Sequence, residues 1–391
     1  MQSRNQSWIS LTSIKVGILI CLPAMMLGHI LTTTYGIYQT LLGLLLGGAI
    51  SYIISRNMFS LTERFPHKNT IEIAQLYFNK IGMILYALGS AFALLGWFAI
   101  QLKMMASVVN DSIGGSITII TIILGLLITI LVAYGIRGIE KCANIGMMFL
   151  IPTILYSLYR IITYNTLIHD MMYYPQNFNI KPIIITVSSF LVGILDLPTY
   201  YRYAKSRKDA LISFGITYFI FFPLVTGIGI ITALYIPHND FVTGFLSCFN
   251  SQKEKIWMAL FMIIAGWTTN NGNLFSTISN INSIFPHISY KTATIIAGLT
   301  GTLIALTSYI DNMTKTLDIM IILMASCGGL ILSRITCHQK NMKYKSDIIL
   351  TLGCIQGLIF IFMNISLTGF IFLDSTITTY ILGLILKDNN Q

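Results

Sequence analysis

The sequence is poor in charge. Of its 391 residues only 10% are Asp, Glu, Lys or Arg, where a soluble domain carries about 25%. A soluble core of this size needs a polar shell that such a composition cannot supply, so a water-soluble globular protein is excluded. Clustered metal and redox ligands are lacking too. The six cysteines (Cys21, Cys142, Cys248, Cys327, Cys337, Cys354) show no C-x-x-C spacing and lie mostly in apolar segments. Neither a disulfide framework nor a zinc site is suggested. The histidines are scattered; His67 and His287 each close a Phe-Pro-His tripeptide, and no H-x-x-x-H or H-E-x-x-H pattern occurs there. A membrane enzyme would need His, Asp, Glu or Cys gathered at membrane depth, and no such gathering is seen. The expectation is therefore no enzyme and no resident cofactor.

What is abundant is apolar sequence, 55% of the chain, with a mean hydropathy of +0.75. Bilayer is the solvent that tolerates such a surface. Apolar stretches of spanning length recur near 13–34, 36–55, 81–109, 115–135, 142–163, 182–201, 208–235, 256–278, 289–309, 316–334, 347–366 and 369–386, which predicts about twelve transmembrane helices. The first run, from about Ile14, is too long for a signal-peptide core and is read as the first span. Residues 1–12 precede it as a short tail. No connection is long enough for a soluble domain, which disfavours a receptor or sensor.

The net charge of +10 would suggest nucleic acid in a soluble protein. Here its distribution gives another cause. With the N-terminus inside, the inward loops hold Arg56, Arg64, Lys68, Lys80, Arg137, Lys141, Arg202, Lys205, Arg207, Lys208, Lys291, Arg334, Lys340, Lys343 and Lys345, and the tails add Arg4 and Lys387. The outward loops hold Arg160, Lys181, Lys253, Lys255 and Lys315. The bias is roughly three to one, as expected for cytoplasmic loops. It predicts a multi-pass protein of the inner (plasma) membrane with both termini cytoplasmic, partnered by lipid and by no nucleic acid.

Several spans carry helix breakers at membrane depth. The first has Gly17, Pro23 and Gly28; the sixth has Gly193 and Pro198. Proline removes a backbone donor and clashes with the preceding turn, and in lipid the freed groups need partners from protein, water or ligand. Spans 1 and 6 open two successive sets of five. Matched breaks in two halves point to a transport site, against the plainer reading of two ordinary kinks. Spans 3 and 8 also correspond, and each carries a tryptophan near amides. In span 3, Gln101 follows Trp97 by four residues and shares its face. In span 8 the run Trp267-Thr268-Thr269-Asn270-Asn271-Gly272-Asn273 is the least hydrophobic inside any span. Hydroxyls and amides in hydrocarbon are costly unless they line a cavity, bind a solute or bond between helices. An indole with nearby amides suits a flat hydrogen-bonding heterocycle, while threonine hydroxyls and helix carbonyls suit a hard cation such as sodium.

At these residues the chain resembles the nucleobase:cation symporter-1 family, in particular its bacterial cytosine permeases, from about residue 12 to 330. The likeness is clearest at Val16-Gly17 through Gly47-Gly48, at Gly96-Trp97-Phe98, at Ser189-Phe190 through Arg202-Tyr203, and at Trp267-Thr268-Thr269-Asn270. It implies an all-α LeuT-type fold: inverted five-helix repeats over 13–163 and 182–334, then two additional helices over 347–386. It implies that a base is sandwiched between Trp97 and Phe190, with Gln101, Asn270 and Asn273 as polar rim. It implies a sodium site made by Gly17 and Ile20 carbonyls with oxygens of Ala265, Thr268 and Thr269. The chain departs from the cytosine permeases at Leu94, where they place a glutamine, and at Thr199, where the family has an aspartate; here Asp196 stands three residues earlier. The family's paired prolines before Gly328-Gly329 are absent, and Ser333-Arg334 replaces its usual acidic exit.

Three charges fall within predicted spans: Lys15, Lys103 and Asp196. Lys15 is either a substitute for the coupling cation, close to Gly17, or a side chain that snorkels inward. Asp196 is either coupled to it or paired with a loop cation. The expected function is a secondary transporter that imports a nucleobase such as cytosine, or a related small heterocycle, by alternating access, with sodium favoured over protons. A thiamine-precursor pyrimidine, hydantoin or allantoin is the alternative solute. An amino-acid transporter of the same fold would need charge recognition that the span 3 and span 8 amides do not supply.

Overall fold

The computed structural model describes residues 6–164, 178–236, 241–307, 313–337 and 343–386. Arg4, Lys340 and Lys387 lie outside the described residues, as do the side chains of Lys315 and Lys343. The described chain is helical, with a single isolated bridge that pairs Gln6 with Ala204.

The first span is two helices, α1 (Trp8–Leu19) and the start of α2 (Leu22–Arg64). The chain leaves helical geometry at Ile20 and Cys21, and Pro23 falls in the first turn of α2, where a missing N–H costs nothing. Of the three breakers expected here, Pro23 starts the second half. Gly28 instead lets α2 approach the helix of span 7: a Cβ there would lie 2.1 Å from the carbonyl oxygen of Thr226. The boundary between spans 1 and 2 is one residue, Gly36, whose φ of 76° lies in the left-handed region that glycine enters freely. Two helices therefore follow each other without a loop.

The third span is α4 (Lys80–Ile113), preceded by a short capped helix, α3 (Thr70–Ala74); the fourth is α5 (Ile117–Val132) and the fifth α6 (Ile136–Tyr164). The sixth is broken like the first, into α7 (Lys181–Leu195) and α8 (Leu197–Tyr201). The break falls at Asp196, immediately before Leu197-Pro198. Gly193, expected as a breaker, stays helical with open space beside it. The seventh span runs through α9 (Arg207–Ile216), a π-helical turn (Thr217–Phe221) and α10 (Phe222–Tyr235). Pro223 cannot donate to the ladder, and the wide turn falls just ahead of it. After a short α11 (Phe241–Ser247) come α12 (Gln252–Asn282), α13 (Tyr290–Ala305), α14 (Met313–Thr336), α15 (Lys343–Met363) and α16 (Ile371–Ile385).

Among the described residues, six helices are long and apolar enough to cross a bilayer by themselves. Breaks and short spans account for most of the others. Large apolar side chains such as Ile119, Tyr134, Leu303 and Phe362 stand exposed, as lipid-facing residues do. Charged residues gather at the ends. At one end Gln6 and Ser10 bond to Glu140, the N–H of Trp8 donates to Asp209, and Glu63 pairs with Arg56 and Arg207. Two of the loops expected inside thus meet the start of α1, and a third joins them through the Glu63–Arg207 pair. The pair Arg160–Glu254, from two loops expected outside, lies elsewhere at 2.8 Å.

Small residues let the central helices close. A Cβ on Gly229 of α10 would sit 1.8 Å from the Met25 carbonyl oxygen, and one on Gly47 would lie 2.7 Å from the Thr186 side chain. These contacts press α2 against α10 and α7. Across the molecule, α4 lies along α12, where Gly266 meets Met105. The cavity described next lies where these two groups of helices face each other.

Candidate functional site

A cavity of about 370 Å³ opens beside both helix breaks. Its wall includes Cys21, Pro23 and Ala24 at the first break, and Ile194 and Leu197 at the second. A broken helix leaves carbonyls at one end and amides at the other without ladder partners, so this is where a polar solute finds backbone groups inside an otherwise apolar wall.

Trp97 and Gln101 of α4, Phe190 of α7 and Asn273 of α12 all line the cavity. The resemblance brought these four to one site, and the structure places them there. Trp97 and Phe190 do not pack on each other; Phe190 makes an edge contact with Phe222, centroids 4.8 Å apart at 89°. Two aromatic side chains lining one cavity suit a flat ring. Gln101 is 1% exposed and its Oε1 is buried without a partner. A buried acceptor of this kind costs about 1–3 kcal/mol when left unpaired, and a ligand N–H removes that cost. Ser51 and Ser188 line the same cavity, and each has a buried hydroxyl oxygen without a partner.

Asn270 stands differently. It is fully buried, donates through Nδ2 to the Phe98 carbonyl at 3.1 Å, and accepts from Asn273 Nδ2 at 3.4 Å. Its amide joins α12 to α4 and holds Asn273 in place; it does not line the cavity. Trp267 is turned away as well. It faces a separate groove walled by α5 and α6, with Arg137 and Lys141 at its rim. One helix explains both: Thr269 and Asn273 are four residues apart and share a face, while Trp267 and Asn271 share another. Sequence alone showed the polar run but not which face met the cavity.

The residues expected to hold a cation converge. With α1 ending at Leu19, the carbonyls of Gly17 and Ile18 lose the donors a continuing helix would give them. Thr268 Oγ1 donates to Gly17 O at 2.7 Å, and Thr269 Oγ1 reaches Ile18 O at 3.0 Å and Gly17 O at 3.4 Å. Both hydroxyls also lie 3.0 Å from the carbonyl oxygen of Ala265. Four hard oxygens or more therefore sit within reach of one point, the donor set that an alkali cation takes. Ile20 closes the last turn through its N–H to Val16 O. Among the described residues its carbonyl forms no bond to α12; the Ile18 carbonyl meets Thr269 instead, because the chain turns out of the helix at Ile20.

Among the described residues no loop cation pairs with Asp196. Its Oδ1 accepts from Thr199 at 2.7 Å, Thr70 at 3.0 Å and Asn280 at 3.4 Å, and Asn280 also donates to Ser90. Its Oδ2 is buried without a partner. The carboxylate thus pins the break in span 6 to α3 and α12, and through Asn280 to α4. Thr70, Ser90 and Asn280 were not legible as site residues: each is an ordinary polar residue far away in sequence. Lys15 places its Nζ 4.5 Å from the centre of the Tyr200 ring, and Tyr200 donates to the carbonyl of Gly272 at 2.7 Å. It lines the cavity rather than reaching the helix end. Lys103 is engaged within the protein.

No family model matches the chain. The cytosine permease of Escherichia coli (strain K12) is 21% identical over 350 residues, 88% of this chain and 81% of that protein, and the permease of Escherichia coli O157:H7 matches equally. Among solved structures, the chain is similar to Mhp1, a nucleobase-cation-symport-1 family transporter. In its closed conformation with bromovinylhydantoin bound the TM-score is 0.78 at 16% identity, covering 98% of this chain and 92% of that one. The inward-facing conformation of Mhp1 aligns at 0.71, with 17% identity and 98% and 90% coverage. A Na+-coupled sialic acid symporter aligns at 0.73 and 14% identity, covering 97% and 89%. The chain has the LeuT-type helical membrane fold expected from its sequence, its resemblance to the nucleobase:cation symporter-1 family holds in sequence and in fold, and its relatives are transporters, not enzymes.

Proposed function

We propose that this chain is a cation-coupled importer of a nucleobase such as cytosine, or of a related small heterocycle, working by alternating access. One observation carries the reading: Trp97, Phe190, Gln101 and Asn273 surround one cavity at the meeting of two broken helices. Stacking supplies area and the amides supply direction, because an amide both donates and accepts. The relatives named cytosine permease and the hydantoin-bound Mhp1 support the same class of solute. The repeats are 13–163 and 182–334, the helices of 347–386 are additions, and both termini are cytoplasmic.

The coupling ion is sodium. The oxygens of Gly17, Ile18, Ala265, Thr268 and Thr269 provide it with a site in which the two hydroxyls turn their lone pairs inward. Proton coupling is the alternative. Thermal unfolding of the purified protein with a panel of pyrimidines, purines, hydantoin and allantoin tests solute and ion together. The expected result is a rise in midpoint with at least one heterocycle, larger in sodium than in choline. A ligand shift of equal size in choline would remove sodium from the account.

Leu94 sets part of the selectivity. It lies three residues before Trp97, lines the cavity and carries no polar atom. Leu94→Gln adds one hydrogen-bonding edge and is expected to improve cytosine affinity about five- to tenfold, the worth of one neutral hydrogen bond. Unchanged cytosine affinity in a competition assay would show that Leu94 is not what limits it.

A further inference from the structure

We infer that the carried heterocycle bears an anionic group, and that Lys15 is the residue that selects it. This rests on the cavity's being the solute site proposed above.

Among the described residues Lys15 is the one formally charged side chain in the cavity wall. The rest of that wall is apolar or neutral, and no carboxylate belongs to it. An ammonium has three N–H donors. That of Lys15 forms no hydrogen bond or ion pair among the described residues; it lies 4.5 Å from the centre of the Tyr200 ring and feels the charge of Asp196 through space. The ring contact satisfies charge from one side and accepts no conventional hydrogen bond. Tyr200 cannot turn its hydroxyl to help, because the hydroxyl is bonded to Gly272 O. Asp196 Oδ1 is taken by Thr70, Thr199 and Asn280; its charge attracts Lys15 through space, but it forms no ion pair with Lys15 and does not line the cavity.

Lys15 is thus held, side-on, at the wall of the chamber in which Trp97 and Gln101 stand. Lys15 is half-buried and the Asp196 carboxylate offsets its charge from a distance, but neither that carboxylate nor the Tyr200 ring supplies an acceptor for its three N–H donors. A neutral ring leaves the Lys15 donors unused. A ring bearing a carboxylate, or an ionised imide, stacks on Trp97 and places its negative oxygen on Nζ. Charge-assisted hydrogen bonds of this kind are about twice as strong as neutral ones. The same lysine raises the cost of a cationic solute, so it excludes as well as selects.

The test compares two probes that share one ring: orotate, which carries a carboxylate, and uracil, which does not. Binding of each to the full-length protein in detergent is read by isothermal titration and by competition. The wild type is expected to bind orotate about ten- to a hundredfold more tightly than uracil, the range for a charged hydrogen bond. In Lys15→Gln the ratio of the two affinities should fall by about tenfold or more, and in Lys15→Arg it should stay on the side of orotate. Wild-type protein that binds uracil, cytosine or hydantoin but not orotate would overturn the inference and leave the proposed function standing. A ratio that is the same in wild type and Lys15→Gln would overturn the role of Lys15. Absence of binding by any heterocycle would overturn both readings.

Discussion

Trp97→Ala is expected to abolish saturable binding of the heterocycle. The indole is one of the aromatic groups lining the cavity, and Phe190, which also lines it, is braced edge-on by Phe222. Removing the indole takes away a face that a flat ring stacks on and the apolar area that the ring covers. Together these are worth on the order of 2–4 kcal/mol, about 30- to 1000-fold in affinity. Trp97→Phe keeps an aromatic face and should lose much less. The measurement is a saturation curve with labelled ligand on both variants. Affinity in Trp97→Ala within threefold of wild type would mean that stacking is not how the solute is held.

Asp196→Ala should destabilise the protein more than any single removal of its partners. The carboxylate takes three donors that come from three parts of the chain, and all are buried. Its loss removes the acceptor shared by Thr70, Thr199 and Asn280 and leaves them only their weaker neutral bonds to one another and to Ser90. Hydrogen bonds to charged groups contribute about 1.5–3 kcal/mol each, so with three of them lost a cost of about 3 kcal/mol or more is expected. The network predicts a second result. Asp196→Ala combined with Thr199→Ala should cost clearly less than the two single changes added together, because both remove the same bond. Equilibrium unfolding of the three variants measures this. Strictly additive costs would mean that Asp196 and Thr199 are not coupled and that the break in span 6 is held by something else.

The sequence made some of this legible because bilayers enforce strong patterns. Apolar runs marked the spans. Breaks were legible as proline positions but not to the residue. Pro23 and Pro198 each sit just inside the helix that follows a break, so the proline marks the restart and the break itself falls at Ile20–Cys21 and at Asp196. Glycines misled in the opposite direction. Gly28 and Gly193 looked like breakers, yet one packs against Thr226 and the other faces open space. A glycine in a span is there for closeness as often as for flexibility, and sequence does not separate the two.

For the site, helical spacing paired Trp97 with Gln101 correctly because both lie on one unbroken helix. In α12 the polar residues surround the axis, so spacing alone could not choose between the face of Asn273 and the face of Trp267. Partners far apart in sequence were invisible altogether. Asp196 stands 126 residues from Thr70, and nothing local to either residue announces the bond. The departures from the cytosine permease pattern are the other instructive positions. Thr199, where the family has an acid, is bonded to Asp196, which supplies a carboxylate from one turn away. Leu94, where the cytosine permeases place a glutamine, lines the cavity with no polar atom.

This cavity is expected to carry a heterocycle across the membrane on a cation gradient. The direct measurement is uptake of a labelled heterocycle into proteoliposomes reconstituted with the purified chain, with an inward sodium gradient and with choline in its place. The account predicts saturable accumulation in sodium, strong loss of it in choline, and none for Trp97→Ala in either. Accumulation that survives in Trp97→Ala, or no accumulation of any heterocycle by a protein that is folded and correctly inserted, would contradict it.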